Sequence, residues 1–234
     1  MSREKMIDFI DRPLIIVAKN VGKQVLVHSK TLTILHNVSL KIHAGETIAI
    51  CGPSGVGKST LLALLAGLDN PSSGKIYLSG YDLATLGERE KSKLRSKEIS
   101  FIFQGFYLLP MLNAIENVTL PLEIQGIKKP EAMAKHILEQ VGLSDRLHHY
   151  PNQLSGGEQQ RVAIARAYVT QPKILFADEI TANLDEKNGF LISDLVFKLN
   201  QEFKTTLIIV THDSKLAGRC QRKFTIVNGC LHEY

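Results

Sequence analysis

Residues 47–59 read TIAICGPSGVGKS, an apolar run followed at once by a glycine-rich turn. The run Thr47–Cys51 is typical of a central strand that is buried on both faces. Strong helix formers follow over Ser59–Ala66, and Gly67 is placed to end that helix. The order of strand, loop and helix is the context that a phosphate-binding loop requires, so the stretch predicts an α/β fold.

The glycine-rich turn has the chemistry to hold ATP. Its glycines allow successive backbone N–H groups to point at phosphate oxygens, and the helix N-terminus adds partial positive charge. Lys58 is expected to reach the β- and γ-phosphates, and Ser59 to ligate Mg²⁺. ATP and Mg²⁺ are therefore the predicted cofactors. The predicted nucleotide-binding residues of this turn are Gly52, Pro53, Ser54, Gly55, Val56, Gly57, Lys58, Ser59 and Thr60.

Further strands and helices are expected on both sides of the turn. Apolar runs and alternation predict strands at 14–17, 38–42, 76–78, 99–103, 173–177 and 206–210. From about 105 to 169 the pattern favours helices, with breaks near Pro130, Gly142 and Pro151. One later helix face is marked by Leu191, Ile192, Leu195, Val196, Leu199 and Phe203. Asn228-Gly229 is typical of a hairpin turn. The layout predicts an α/β core interrupted by a helical insertion.

Two acidic residues end a predicted buried strand. Asp178 stands where the acidic residue of an NTPase binds Mg²⁺, directly or through water. Side chains alternate in direction along a strand, so the neighbouring Glu179 can face an attacking water, as its general base or its orienter. The alternative is that both acids only cap the next helix. The presence of a phosphate-binding loop favours the catalytic interpretation.

A histidine and a glutamine follow two other strands. His212 lies where an imidazole at the carboxyl end of the sheet could contact a γ-phosphate. Gln104 could contact Mg²⁺ or water through its amide. Position alone leaves a structural role open for His212 and a plain loop role open for Gln104.

The stretch LSGGEQQR, residues 154–161, predicts a second anion site. Ser155, Gly156 and Gly157 precede a helix that is expected to start near Glu158, and such a helix start binds anions. An NTPase that acts as a single chain does not need a second site of this kind. Two chains facing head to tail could use it on each other's γ-phosphate, which predicts a two-fold dimer with two sandwiched ATP molecules.

Size and composition limit the classes of protein. With 234 residues, 44% of them hydrophobic, the chain can build one substantial core or a core with a small subdomain. No apolar run approaches the roughly 18–20 residues that cross a bilayer, and the charged stretch Met1–Asp11 does not predict a signal peptide. The three cysteines have no metal or redox spacing. The sequence therefore predicts a cytoplasmic protein whose membrane role depends on a partner.

A run of bases lies between residues 89 and 97, and the net charge is +5. Such a run could bind nucleic acid. Glutamates are interspersed with the bases and no aromatic residue alternates with them, which favours a solvated helix face. No nucleic-acid partner is expected.

Taken together, the motifs resemble those of an ABC-type ATPase subunit. They are GPSGVGKS, LSGGEQQR, ILFADE, Asn183-Leu184-Asp185 and Thr211-His212-Asp213. The resemblance covers essentially the whole chain and implies one ABC ATPase domain over 1–234. That domain is a P-loop NTPase core with a mixed sheet, an N-terminal antiparallel β part and a helical signature subdomain inserted at approximately 105–169. It also implies that ATP closes two such subunits and that hydrolysis reopens them.

The resemblance implies roles for individual residues. The implied catalytic residues are Glu179, His212 and Gln104. The implied Mg²⁺ ligands are Ser59, Gln104 and Asp178. The implied contacts to the partner's nucleotide are Ser155, Gly156, Gly157 and Glu158. Asp185 matches the loop that couples the two sites.

A narrower resemblance is to the lipoprotein-release and macrolide-export branch, and within it to the YbbA-type ATPases. It is carried by LHNVS, LAGLD, FQGFYLLP and NAIENV, which start at residues 35, 65, 103 and 113. The resemblance implies an integral membrane permease that docks near Phe106–Leu112, and a peripheral location on the inner face of the cell membrane. Exposed aromatic and aliphatic side chains would suit such docking. Packing of this segment within the helical subdomain is the alternative.

The chain departs from the family pattern at two positions. Val25 aligns with the aromatic residue that usually stacks on adenine, and no Phe, Tyr or Trp lies between Ile10 and Thr60. Nucleotide binding is therefore expected to be weaker or less selective for the base. Ile180 stands where proline usually follows the catalytic glutamate, which leaves a backbone N–H and loosens the turn. Hydrolysis is not expected to be lost.

The leading functional hypothesis is the ATPase subunit of a membrane transporter or extrusion complex. The alternative is a regulatory ABC ATPase that transmits force to a membrane partner and moves no substrate. A soluble DNA-repair or translation ATPase is disfavoured, because the chain has room for only one nucleotide domain and no long coiled-coil insertion.

Overall fold

The chain divides into two units in a computed structural model that describes residues 12–234. One unit consists of Met1–Ile99 with Thr206–Tyr234, and the other of Ser100–Thr205. The stretch Met1–Asp11, considered above for a signal peptide, lies outside the described residues. No helix within residues 12–234 combines the length and the apolar character needed to cross a membrane.

The first unit contains an antiparallel sheet with the strand order β2-β1-β4-β5. Its strands are β1 (Leu14–Val27), β2 (Lys30–His43), β4 (Ser73–Leu78) and β5 (Tyr81–Asp82). The β1–β2 hairpin pairs Leu14 with His43 at one end and Val27 with Lys30 at the other. This sheet confirms the expected N-terminal antiparallel part.

The same unit contains a mixed arrangement of four neighbouring strands in the order β10-β9-β3-β8. They are β3 (Thr47–Cys51), β8 (Thr206–Val210), β9 (Arg222–Val227) and β10 (Cys230–Glu233). Strand β3 runs parallel to β8 and β9, whereas β9 and β10 form the predicted antiparallel hairpin. The helices of this unit are α1 (Lys58–Leu65), α2 (Glu88–Glu98) and α7 (Ser214–Ala217), with a short 3-10 turn at Leu83–Thr85.

Helix α2 confirms the predicted solvated face for Arg89, Lys93 and Lys97 but not for Lys91 and Arg95. Lys91 is buried, and its ammonium donates to Asn70 Oδ1 at 2.7 Å and to Glu88 Oε1 at 3.2 Å. The Arg95 guanidinium donates to the Gly67 carbonyl at 2.7 Å. Two of the bases therefore hold the loop that follows α1.

The second unit is mainly helical. Strand β6 (Ile99–Ile102) neighbours β7 (Ile174–Asp178). The helices are α3 (Ala114–Ile124), α4 (Glu131–Gln140), α5 (Gly156–Tyr168) and α6 (Glu186–Phe203), and 3-10 turns lie at Ser144–Arg146 and Pro151–Gln153. The helices begin at Ala114 rather than near residue 105, and the predicted breaks at Pro130, Gly142 and Pro151 lie between the α-helices.

Helices α5 and α6 pack through a buried tyrosine. Tyr168 is fully buried, its hydroxyl donates to the Val196 carbonyl at 3.1 Å, and its ring stacks on Phe203. Burial raises the pKa of this phenol. The predicted apolar face of α6 is wrong at one position, because Leu191 is exposed while Phe197 is buried. Ile192, Val196 and Leu199 are buried as predicted, and the rest of the buried face is made by Ser193, Phe197 and Asn200.

Candidate active site

The phosphate-binding loop, Gly52–Ser59, depends on its glycines. The φ angles of Gly52, Gly55 and Gly57 are +143°, +82° and +101°, a range that side chains with a Cβ rarely adopt. A Cβ at Gly57 would also lie 2.9 Å from Ile34 Cγ2, whereas one at Gly55 would meet nothing within 4 Å. The loop is thus shaped by backbone conformations that the predicted glycines supply.

Helix α1 presents an N-terminus without a side-chain cap. Gly57 is its N-cap and offers no side-chain hydrogen bond, so the first-turn N–H groups can serve an anion. Lys58 is 6% exposed, and its ammonium donates to the carbonyls of Gly52 at 2.8 Å and Pro53 at 2.9 Å. A buried cation and a helix N-terminus therefore meet in one loop, which suits a polyphosphate.

His212 lies at the same sheet edge as this loop. Strand β8 pairs in parallel with β3, and the Thr211 N–H donates to the Ile50 carbonyl at 3.2 Å. His212 follows directly and is exposed. Asp213 caps α7 by accepting from the N–H groups of Lys215 and Leu216. The first unit thus brings His212 and the loop to neighbouring strand ends, as the sequence predicts.

In the second unit, Asp178 ends β7 and Glu179 begins a tight turn. Glu179 has φ +46°, a left-handed conformation that is uncommon for a glutamate. The Ala182 N–H donates to the Glu179 carbonyl at 3.1 Å and closes the turn. The alternation predicted for a strand end therefore gives way to a sharp change of backbone direction at the candidate catalytic carboxylate.

Two side chains connect this turn to other segments of the same unit. Asn183 Nδ2 donates to the Gln104 carbonyl at 3.0 Å. Gln160 Nε2 donates to the Ile180 carbonyl at 3.1 Å, in a buried contact. Neither contact could be predicted from the sequence, since the partners are 79 and 20 residues apart and neither amide belongs to a predicted catalytic set.

Ser155 caps helix α5 through a reciprocal capping box. Its hydroxyl accepts from the Glu158 N–H at 3.3 Å and donates to Glu158 Oε2 at 2.8 Å, and its N–H donates to the same oxygen at 2.9 Å. Arg146 Nε donates to Glu158 Oε1 at 2.9 Å. The bonds that the Ser155 N–H and hydroxyl donate to the Glu158 carboxylate, followed by the Arg146 contact, lower the pKa of Glu158 from 4.5 to about 2. The predicted anion site therefore already contains one fixed carboxylate of its own chain.

Gly156 and Gly157 belong to the stretch 154–161, called the signature below, and they differ from the glycines of the phosphate-binding loop. Neither Gly156 nor Gly157 has a left-handed φ. A Cβ on Gly156 would come no closer than 3.8 Å to Phe106 Cζ, and one on Gly157 no closer than 3.4 Å to Asn188 Oδ1. The fold of the chain therefore does not require glycine at either position.

Asn188 connects Asp185 to the signature, because it bonds to Asp185 and faces Gly157. Asp185 is the N-cap of α6 and accepts from the Asn188 N–H at 2.9 Å and from its side-chain amide at 2.6 Å. These bonds lower the pKa of Asp185. Since Asn188 also faces Gly157, the second unit brings two of the predicted nucleotide-contact segments together.

The segment Phe106–Leu112, called the docking segment below, exposes several large apolar side chains. Tyr107 is 71% exposed and Met111 86% exposed. Its backbone is held by Arg166 of α5, whose guanidinium donates to the carbonyls of Tyr107 at 2.6 Å and Phe106 at 2.9 Å. Burial lowers the pKa of this guanidinium. The contact between Arg166 and this segment could not be predicted from the sequence either.

The family model described as "ABC transporter" matches residues 35–182, more than half of the chain. Over 204 residues, the chain is 55% identical to the uncharacterized ABC transporter ATP-binding protein YbbA of Escherichia coli (strain K12), covering 86% of this chain and 90% of the relative. It is 50% identical over 200 residues to the lipoprotein-releasing system ATP-binding protein LolD of Bdellovibrio bacteriovorus, covering 85% and 91%.

A solved structure has the same architecture. It is the dimeric post-hydrolysis state of the ATP-binding cassette MJ0796 bound to ADP and Pi, with a TM-score of 0.86 at 39% identity over 94% of this chain and 98% of that one. Fold and sequence agree with the motifs, and the chain belongs to the ABC transporter family as an ATP-binding cassette with ATPase activity.

Proposed function

We propose that two copies of this chain close around two ATP molecules and that this closure drives an integral membrane permease. The observation that carries the proposal is the pair Gly156 and Gly157. Neither backbone conformation nor crowding within the chain requires them. Small residues at an exposed helix N-terminus leave the N–H groups open to a phosphate that approaches from outside. A second copy of the chain would bring that phosphate.

The residues of the phosphate-binding loop fit ATP. The loop offers N–H groups from three left-handed glycines and the uncapped start of α1, and Lys58 supplies a buried positive charge. In a closed dimer this lysine would exchange the carbonyls of Gly52 and Pro53 for phosphate oxygens. Such charge-assisted bonds are stronger than those to neutral carbonyls.

Mg²⁺ would be held by oxygen ligands, which it prefers in proteins. The hydroxyl of Ser59, the carboxylate of Asp178 and the amide oxygen of Gln104 have this chemistry. When bound, the ion supplies charge neutralisation for the phosphates. The oxygen atoms of these three side chains are of the type that binds Mg²⁺.

Glu179 is proposed to orient and deprotonate the attacking water, and His212 to contact the γ-phosphate. The left-handed backbone of Glu179 supports an active role, because strained residues persist where the surrounding structure holds them and often lie at functional sites. Asp185 would couple the two sites through Asn188 and the signature glycine beside it.

Replacement of the lysine tests nucleotide binding. Lys58→Ala is expected to weaken ATP binding at least tenfold, because it removes a buried charge from the phosphate site. Calorimetry of purified protein with MgATP measures the affinity, and Lys198→Ala, at an exposed position of α6, serves as the matched control. Unchanged affinity in Lys58→Ala would contradict the assignment of the loop.

The docking segment is proposed to bind the permease, which would place the protein on the inner face of the cell membrane. Its exposed Tyr107 and Met111 and its anchorage by Arg166 support this role. LolD relatives are named for a lipoprotein-releasing system, so a lipidated or otherwise apolar cargo is the proposed substrate class.

A photo-reactive residue at Tyr107 tests this docking in intact membranes. We expect cross-linking to a polypeptide with several membrane spans that also copurifies with the unmodified protein. The control is the same residue at Tyr81, a 55% exposed tyrosine of β5. Equal cross-linking from both positions, or none from Tyr107, would contradict the docking proposal.

A further inference from the structure

We infer that Gln160 is a positioning residue for Glu179 and ties the signature helix α5 to the hydrolytic carboxylate of its own chain. The inference rests on the role proposed above for Glu179. It concerns an amide that touches neither a nucleotide nor a reacting atom, and that acts through the backbone of the next residue.

The turn at Glu179 needs external support. A left-handed glutamate is held only when its neighbours restrict the backbone on both sides. Within the turn, the Ala182 N–H binds the Glu179 carbonyl at 3.1 Å, and the Ile180 side chain is buried. Both of these restraints belong to the turn itself.

Gln160 adds a restraint from another element. Its side chain is 1% exposed, and its Nε2 donates to the Ile180 carbonyl at 3.1 Å. Residues three and four apart on a helix share one face, so Gln160 lies one turn after Gly156 and Gly157. The helix end that is proposed to meet the partner's nucleotide is therefore joined to the turn of Glu179 by one short side chain.

The side-chain oxygen of Gln160 also supports a functional role. Gln160 Oε1 is buried and has no hydrogen-bond partner among the described atoms. A buried acceptor without a partner is costly, so a glutamine is a poor choice if packing were its only purpose. The hydrogen bond that this side chain makes is the one from its Nε2 to the Ile180 carbonyl.

The test is steady-state ATP hydrolysis by the full chain with Gln160→Met. Methionine is unbranched and of similar length, so it removes the donor with little change in packing. We expect kcat to fall about tenfold to a hundredfold, in line with the loss that small misplacements of a catalytic group cause. The KM for ATP should stay close to that of the unmodified chain, and the melting temperature should fall no further than in Thr205→Val, which also leaves one buried carbonyl without its donor.

Thr205→Val is the matched control. It also deletes a buried side-chain donor, since Thr205 Oγ1 binds the Pro172 carbonyl at 3.2 Å. We expect unchanged kcat in this variant. Hydrogen exchange supplies a readout that does not depend on activity, because the Ala182 amide should exchange faster in Gln160→Met and not in Thr205→Val.

Three outcomes overturn the inference. They are unchanged kcat in Gln160→Met, an equal loss in both variants, and a rise in KM or a fall in melting temperature that accounts for the lost activity. If methionine prevents folding, Gln160→Leu is measured in the same way. Glu179→Gln separates the two proposals, because its full retention of hydrolysis would remove the proposed role of Glu179 itself.

Discussion

At the scale of single residues, glycine serves two distinct purposes in this chain. In the phosphate-binding loop it supplies left-handed backbone at Gly55 and Gly57, one in open space and one in close contact. In the signature it supplies only the absence of a side chain. The first purpose can be tested on the isolated chain, and the second only when something binds.

Alanine substitutions in the loop should separate conformation from contact. Both Gly55→Ala and Gly57→Ala carry the left-handed penalty of about 1–2 kcal/mol. Gly57→Ala should lose about 1 kcal/mol more, because its Cβ would lie 2.9 Å from Ile34 Cγ2. Urea unfolding measures the difference, and equal losses would show that the Ile34 contact relaxes without cost.

The absence of an aromatic residue at Val25 should weaken base recognition. Val25 pairs with Leu32 in the β1–β2 hairpin, and Ile34 of the same hairpin lies against Gly57. Val25→Tyr is expected to tighten ATP binding, since stacking of a base on an aromatic ring contributes roughly 1–3 kcal/mol. Calorimetry with ATP and GTP checks both affinity and selectivity. Identical affinities for ATP before and after the change would refute the idea.

At the scale of elements, helix α5 carries three kinds of contact along its length. Ser155 caps its start, Gln160 holds the turn of Glu179, and Arg166 holds the docking segment. A rigid helix with these contacts can pass a displacement from one end to the other. Its stability near the cap should therefore matter for function.

The cap of α5 should make stability depend on pH in acid. The pKa of Glu158 is about 2 in the folded chain and 4.5 when unperturbed, so its stabilising effect is present above about pH 5 and disappears as pH falls toward 2. The difference in unfolding free energy between the unmodified chain and Glu158→Gln should shrink over that range. Urea unfolding at several pH values measures it, with Glu123→Gln on α3 as control. A difference that is constant with pH would contradict the capping account.

The sequence predicted strands with continuous apolar runs better than a strand whose alternation is interrupted. The bounds of β3 and β8 agree with the prediction to the residue, because parallel strands buried on both faces are continuous apolar runs. Strand β1 extends ten residues beyond the predicted Val17. Polar residues and register shifts interrupt its alternation after Ala18.

In the candidate site, the motif residues were predicted better than the contacts that hold them in place. Its motif residues could be predicted because local sequence sets a loop, a strand end or a cap. The contacts made by Gln160, Asn183 and Arg166 could not, since each joins segments that are far apart in the chain and are brought together only by tertiary packing.

At the scale of the whole molecule, the two units carry different parts of the chemistry. The phosphate-binding loop and His212 belong to the unit of Met1–Ile99 and Thr206–Tyr234, and the signature and Glu179 to Ser100–Thr205. All of these parts belong to one chain, yet the fold of that chain does not require glycine at the two signature positions, Gly156 and Gly157. We therefore propose that a second copy of the chain uses these glycines.

The most direct test is the mass of Glu179→Gln in solution at saturating MgATP. Blocked hydrolysis should trap the closed state, so the account predicts a particle of twice the 26.0 kDa chain mass. Adding Gly156→Asp, which places a carboxylate at the proposed γ-phosphate contact and has room for its Cβ, should return the protein to a monomer. A monomeric Glu179→Gln, or a dimer that survives Gly156→Asp, would contradict the central claim.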